Sequence, residues 1–354
     1  MTDLEKLCSR VTEAADCAVI TDDVNRRYFT AMKSSAGTLV VFPEKAYFII
    51  DFRYIEKAKK TVTACEVILQ DKLYEQINSL IEKHDAKTVS VNADTCTLSE
   101  LIAYQQKLNA EVIADTKLAE IIREIRTVKS QEQIDKIIKA QRIAEKGFAH
   151  MLDFIKVGRT EKEIQLELDY YMLKNGAEAL SFDTIALSGS NTSLPHGVPS
   201  DKKVESGEFV LMDFGATYDG WHSDMTRTVC VGKPSDKMKS VYETVLTAQL
   251  SALDAVKAGM SGKALDKIAR DIITEAGYGD NFGHSLGHGV GVEIHESPYA
   301  SPSREDILPE NSIVTVEPGI YLEGKFGVRI EDFVVVTENG CINITKAPKE
   351  LICL

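Results

Sequence analysis

The C-terminal half of this 354-residue chain sets four carboxylates in or beside apolar strands, in two segments of similar design. The first reads Gly-Glu-Phe-Val-Leu-Met-Asp213-Phe-Gly, then Trp-His-Ser-Asp224-Met-Thr-Arg-Thr-Val. The second reads Ser-Ile-Val-Thr-Val-Glu317-Pro-Gly, then Val-Arg329-Ile-Glu331-Asp-Phe-Val-Val-Val. Between them lies His284-Ser-Leu-Gly-His288-Gly-Val-Gly. In both segments an apolar strand meets a carboxylate, a Gly-containing turn follows, and a second strand begins at another carboxylate. An unpaired charge in such a strand is costly to bury. No cluster of Lys or Arg stands nearby in sequence to compensate it, so bound cations are the simplest solution.

The donor chemistry narrows the choice. Asp213, Asp224, His288, Glu317 and Glu331 make an oxygen-rich set without sulfur. It suits Mn, Fe, Co or Zn, and the imidazole argues against a pure Mg or Ca site. Four negative charges balance two divalent ions. Two such ions roughly 3.5–4 Å apart can share a water and lower its pKa, making it a nucleophile toward a carbonyl. Taken singly, each residue has an ordinary reading: a strand-end Asp is often a turn or cap residue, and a His among glycines a loop residue. The repetition of the pattern favours the metal. His196, His284 and His295 are further imidazoles able to move protons or stabilise a tetrahedral intermediate. The Gly287-His-Gly-Val-Gly291 run is not read as a nucleotide fingerprint, because no clear strand precedes it. His84 and His150 read as packing or surface residues, and His222 receives no role.

The net charge of −13 argues against a nucleic-acid partner, and its spread along the chain describes a solvated surface. The N-terminus has no signal-peptide pattern and no apolar run reaches membrane-spanning length, so no membrane association is expected. Seven scattered cysteines form no CxxC pair, which points to a reducing, cytoplasmic setting and away from thiolate ligands.

Two domains are expected, 1–127 and 128–354, joined at the polar stretch Arg126-Thr-Val-Lys-Ser130. In the first, Gly37–Pro43 and Ala46–Asp51 read as paired strands, and Thr88–Asn92 and Glu111–Ala114 as further strands between helical stretches, as in an α/β layer. Lys57, Lys59 and Lys60 read as a solvated helix face. In the second, Ser130 with Gln133 and Thr160 with Glu163 form capping boxes, and Asn175-Gly176 ends a helix. Another helix pair runs from about Met238 to Gly277 with a break near Gly259-Met-Ser261. Two units of helices followed by a hairpin point to an internal duplication sharing one site.

These motifs resemble a known family. Met-Asp213-Phe-Gly, Ser-Asp224-Met-Thr-Arg-Thr, Gly-His284-Ser-Leu-Gly-His288-Gly-Val-Gly, Val-Glu317-Pro-Gly-Ile-Tyr and Gly-Val-Arg329-Ile-Glu331-Asp are similar to those of the pita-bread metallopeptidases, which include methionine aminopeptidase, aminopeptidase P and prolidase. Asn25-Arg-Arg-Tyr28-Phe-Thr and Ile50-Asp51-Phe-Arg53-Tyr54 resemble the creatinase-like N-terminal domain of the Xaa-Pro branch, although Ala31-Met32 stands where many relatives carry Gly-Phe. The resemblance implies an α+β fold: a C-terminal pita-bread domain and a smaller α/β creatinase-like N-terminal domain. It implies two divalent ions, manganese first, with cobalt, zinc or iron as alternatives. Asp213 would chelate one ion and His288 the other, with Asp224 and Glu331 bridging. Glu317 would be a ligand and the general base. His196 and His295 would line the cleft, and His284 would lie beside the proline after the scissile bond. Arg329 would orient the carboxylates, and Phe182 and Tyr321 would be cleft aromatics. The expected activity is hydrolysis of the bond before proline in small peptides with proline second. A dipeptidase (prolidase) comes first, then an aminopeptidase P acting on longer peptides, then a non-catalytic peptide-binding protein on the same fold. An Xaa-Pro bond lacks the N–H that many peptidases grip. A homodimer is expected.

Overall fold

The computed structural model describes residues 1–354 and separates into two compact units, Met1–Arg126 and Thr127–Leu354. The first unit is built on a mixed six-stranded sheet. Its strands are β1 (Cys17–Ile20), β2 (Thr38–Val41), β3 (Ala46–Ile50), β4 (Glu66–Leu69), β5 (Thr88–Val91) and β6 (Glu111–Ile113), in the order β4-β3-β2-β1-β5-β6. The β2–β3 hairpin is antiparallel, as the sequence pattern predicts, whereas β3–β4, β1–β5 and β5–β6 are parallel.

Strands β1 to β3 are buried at every position, so both faces of the sheet must be covered. Six helices complete the unit: α1 (Asp3–Arg10), α2 (Asp23–Thr30), α3 (Ile55–Thr61), α4 (Leu73–Lys83), α5 (Leu98–Lys107) and α6 (Lys117–Thr127). One face packs Ile20, Leu39 and Phe48 against Leu7, Phe29 and Ile121. The other packs Val19, Val40 and Tyr47 against Ile77, Ile81 and Tyr104. Lys57, Lys59 and Lys60 lie exposed on α3, as a solvated face should. Ala31 caps α2 at φ +54, a left-handed conformation that strains a residue with a Cβ.

The second unit repeats one plan twice. In the first half, α7 (Gln131–Phe154) and α8 (Glu161–Lys174) precede β7 (Ala179–Leu180), β8 (Ile185–Ser188), β9 (Glu208–Phe214), β10 (Ala216–Tyr218), β11 (Trp221–His222) and β12 (Met225–Val231). In the second half, α9 (Asp236–Ala255) and α10 (Gly262–Glu275) precede β13 (Gly287–Gly289), β14 (Glu296–Ala300), β15 (Ile313–Val316), β16 (Gly319–Leu322), β17 (Phe326–Arg329), β18 (Asp332–Thr337) and β19 (Gly340–Asn343). Both expected capping boxes form, at Thr160 with Glu163 and at Ser130 with Gln133. Each helix pair buries its apolar stripe on its own half's strands: Phe148 and Leu168 against Met212 and Val229, and Val245 and Leu265 against Val314 and Val334.

The carboxylate segments are more elaborate than single hairpins. An outer antiparallel pair, β9–β12, encloses an inner one, β10–β11; in the second half β15–β18 encloses β16–β17. The four carboxylates fall where outer strands pass into inner ones. There the backbone is crowded: a Cβ on Gly215 would lie 1.9 Å from Ser223 O, and one on Gly287 1.9 Å from Thr315 O. Glycine is the residue that allows these approaches.

Candidate metal centre and substrate cleft

Asp213 is the penultimate residue of β9, and Asp224 immediately precedes β12. Glu317 immediately follows β15, Glu331 precedes β18, and His288 is the middle residue of β13. The two halves thus deliver all five side chains to one cavity of about 500 Å³, whose lining lies entirely within the second unit. The ligand atoms of Asp224, His288 and Glu331 lie within 4.8 Å of one another. His288 Nε2 is 3.2 Å from Glu317 Oε1 and 3.6 Å from Asp224 Oδ2.

Burial and mutual repulsion dominate the electrostatics of the carboxylates. Burial raises the pKa of Asp213, although Arg329 opposes it. Burial, and then repulsion from Asp213, pushes Asp224 well above the usual carboxylate range. Burial likewise lifts Glu331, helped by Asp224, Glu317 and Asp213. For His288 burial works downward, but the hydrogen bond to Glu317 and the charges of Glu317 and Asp224 win, raising it to about 9. The same partnership holds Glu317 low against the upward push of burial. Asp213 Oδ1, Asp224 Oδ1 and Glu331 Oε1 are all buried without a hydrogen-bond partner. Orphaned acceptors of this kind are costly unless something positive meets them. Three unpartnered carboxylate oxygens and one imidazole nitrogen around a cavity fit divalent cations of the Mn, Fe, Co or Zn type.

One positive charge is already in place, from a single arginine rather than a basic cluster. Arg329 is buried, and its Nη2 donates to Asp213 Oδ2 at 2.6 Å. It also donates through Nε to Thr226 Oγ1 at 3.0 Å and through Nη1 to the Tyr321 hydroxyl at 2.7 Å.

The other singled-out residues divide. His196, His284, His295 and Phe182 line the cavity. The His295 ring stands edge-on to His288 at 4.4 Å, and burial, then the neighbouring His288, lowers its pKa. Burial also lowers His284, whose Nδ1 is 2.8 Å from Ser285 O and Nε2 2.9 Å from the Tyr321 hydroxyl. Tyr321, expected as a cleft aromatic, lies behind the wall: it is buried and not part of the lining, and it joins Arg329 to His284.

Sequence reasoning gave no role to Thr226. It pairs with Asp213 across β9–β12, and its Oγ1 donates to Glu331 Oε2 at 2.7 Å while accepting from Arg329. Its neighbour Arg227, 1% exposed, donates to Asp332 Oδ1 and to the carbonyls of Ala347 and Pro348, tying the C-terminal segment to β12. Asp183, Ile185 and Tyr299 are further wall residues that the motifs did not reveal.

Comparison with known proteins agrees with this architecture. The profile of metallopeptidase family M24 matches residues 135–338, and that of the creatinase/prolidase N-terminal domain matches residues 4–128. The chain belongs to metallopeptidase family M24. It is 40% identical over 352 residues to an Xaa-Pro dipeptidase of Pyrococcus furiosus, covering 99% of each chain. Among solved structures it is similar to an Xaa-Pro dipeptidase from Bacillus anthracis, with a TM-score of 0.96 and 42% identity over 99% of both chains. It is also similar to an X-Pro aminopeptidase from Thermotoga maritima, with a TM-score of 0.90 and 38% identity over 96% of this chain and 98% of the other. The fold is the α+β pita-bread unit with a creatinase-like N-terminal unit, as the resemblance implied. M24 metallopeptidases use divalent metals, and the Asp224–His288–Glu331 group supplies ligand atoms for one. No helix is long and apolar enough to cross a membrane.

Proposed function

We propose that this protein is a divalent-metal Xaa-Pro dipeptidase that hydrolyses the bond before a C-terminal proline. The observation that carries the reading is the set of three orphaned, buried carboxylate oxygens beside His288 in a cavity walled by three further imidazoles. Asp213, Asp224, His288, Glu317 and Glu331 would hold two ions, with manganese the first candidate. When bound, such ions supply Lewis acidity and make water acidic near neutral pH.

The chain's own residues then divide the remaining work. Arg329 neutralises one oxygen of Asp213 and so orients the other toward the cavity. Glu317 would be both a ligand and the general base that accepts a proton from the attacking water, since His288 Nε2, 3.2 Å from its Oε1, could not donate to it and bind a cation at once. His295, kept neutral by burial, can donate a hydrogen bond to the developing oxyanion. His196, on the same wall, would carry a proton to the leaving proline nitrogen. The cavity of about 500 Å³ falls in the lower half of the range typical of small-molecule sites, roughly 300–1,000 Å³. That size supports a short substrate.

A second reading, aminopeptidase P action on longer Xaa-Pro peptides, is favoured by the similarity to the Thermotoga maritima X-Pro aminopeptidase. We also propose a homodimer, to be checked by light scattering. Seven free cysteines support a reducing, cytoplasmic setting.

The deciding experiment offers the metal-stripped protein Ala-Pro, Ala-Pro-Ala and Met-Ala-Ala, with Mn, Co or Zn restored separately. Cleavage of Ala-Pro alone supports the dipeptidase, and strong cleavage of Ala-Pro-Ala moves the assignment to aminopeptidase P. Cleavage of Met-Ala-Ala removes the proline specificity. Silence on all three under every metal leaves a peptide-binding protein.

A further inference from the structure

The segment between β8 and β9 reaches the cavity at Pro195 and His196. Its apolar side chains do not hold it there: Leu194 is 54% exposed and Val198 is 83% exposed. A buried carboxylate at the start of α8 holds it, alongside backbone bonds from Lys162 N to Ser200 O at 3.1 Å and from Glu161 N to Lys202 O at 3.0 Å. Glu161 is wholly buried, and both of its oxygens are saturated by donors from this segment. Oε1 accepts from Ser188 N at 2.7 Å, Ser188 Oγ at 3.2 Å and Asn191 Nδ2 at 3.0 Å. Oε2 accepts from Ser200 Oγ at 2.6 Å, Ser200 N at 3.0 Å and Asn191 Nδ2 at 3.2 Å. The nearby Lys202 ammonium donates instead to Glu208, at 2.7 Å, and to Ser188 Oγ, at 3.1 Å.

Burying a carboxylate is unfavourable unless hydrogen bonds replace its water. An apolar residue would fill the same volume without that requirement. Here the bonds close a loop: one side chain grips Ser188 and Ser200, so the stretch carrying His196 has fixed ends. Its middle is fixed as well, because Thr192 Oγ1 accepts from Gly327 N at 2.8 Å and donates to Gly189 O at 2.6 Å. Gly327 lies on β17, two residues before Arg329.

We propose that Glu161 is a positioning residue: by clamping both ends of the 188–200 segment it fixes His196 in the cleft wall. The catalytic consequence rests on the Xaa-Pro dipeptidase reading; the clamp itself does not. Pinning two chain ends to one rigid helix start reduces the freedom of the intervening backbone, and misplacing a group in a catalytic wall by even about 1 Å can cost up to about 10²-fold in rate.

The test compares Glu161→Gln and the milder Ser200→Ala, each alone and combined with His196→Ala, in the full-length protein. Three readouts are taken: amide hydrogen exchange, the Mn binding isotherm and Ala-Pro hydrolysis at saturating Mn. In E161Q an amide donor faces N–H and O–H donors, and exchange across 188–200 is expected to quicken about tenfold while the strands keep their protection. Mn affinity should hold while kcat falls about tenfold or more, with KM little changed. In the His196→Ala background neither substitution should lower kcat further, a non-additivity that a merely structural role would not produce. Unchanged exchange in 188–200, or losses that multiply in the double variants, overturns the proposal. If E161Q does not fold, Ser200→Ala decides by the same pattern at smaller amplitude. If the wild type cleaves no Xaa-Pro peptide while exchange behaves as expected, the clamp stands and the peptidase reading falls.

Discussion

Arg329 Nη2 lies 2.6 Å from Asp213 Oδ2, while Oδ1 of the same carboxylate is buried with no partner. One half of the side chain is neutralised by the protein and the other half is left for a ligand. The pair should therefore matter most when no metal is present. Arg329→Met leaves Asp213 as an uncompensated buried charge and is expected to destabilise the metal-free protein by roughly 3–5 kcal/mol. Saturating Mn should recover much of that loss, because the cation takes over the compensation. Thermal melts with and without Mn check this: the gap between the two should widen in the variant, and an unchanged metal-free melt would mean that the ion pair is idle.

The protonation of Asp224, Glu331 and His288 makes stability depend on pH when no cation is bound. Asp224 and Glu331 have folded-state pKa values raised by burial, and His288 is raised to about 9. A raised group binds its proton more tightly when folded, so its stabilisation is complete below its unfolded pKa and disappears as pH climbs through its folded pKa. His284 and His295 are lowered, so they act in the opposite sense, and only below about 6.5. Between pH 7 and 9, then, the metal-free protein should lose stability with rising pH, by on the order of 1–3 kcal/mol. Divalent cations displace these protons, so the metal-loaded protein should show a flatter profile across the same window. Melting temperatures in chelator and in Mn settle the point; parallel profiles would sink it.

Thr226 is the residue in which hydrogen bonding and ligand geometry meet. Its hydroxyl donates to Glu331 Oε2 and accepts from Arg329 Nε. Thr226→Val preserves shape but strands a buried carboxylate oxygen and a guanidinium N–H. The expected cost to the metal-free fold is about 1–3 kcal/mol. Divalent-metal affinity should fall roughly 10–100-fold, because an outer partner that orients a ligand has been removed. Titration calorimetry with Mn measures it, and wild-type affinity would show that Glu331 needs no such support.

How legible these features were depended on whether they broke a local rule. Asp213, Asp224, Glu317 and Glu331 stood out because charge does not belong in apolar strands. Thr226 did not stand out, because a buried threonine in a strand looks like any β-former. Arg227 was hidden for another reason: its partners, Asp332, Ala347 and Pro348, lie more than a hundred positions away. The nesting of β10–β11 within β9–β12 was not legible either, since the inner strands are only three and two residues long. In the first unit, the half-exposed β4 gave no clear alternation and went unread, while the β2–β3 hairpin was plain. Tyr321 was placed in the cleft by resemblance, yet its hydroxyl is used behind the wall.

Glu317 faces two donors: His288 Nε2 at 3.2 Å and Thr315 Oγ1 at 3.1 Å. Its low pKa follows from the His288 partnership, which a bound cation would break. Glu317→Gln keeps the size and one acceptor oxygen but removes the basic carboxylate. Folding and some metal binding should persist, while kcat for Ala-Pro falls by about 10²–10⁴-fold. KM should change far less, because the lost interaction acts on the transferring proton rather than on substrate binding. Steady-state kinetics at saturating Mn, with metal content measured on the same sample, separate this from simple loss of a ligand. Near-normal turnover with full metal content would remove Glu317 as the base and leave it a ligand only.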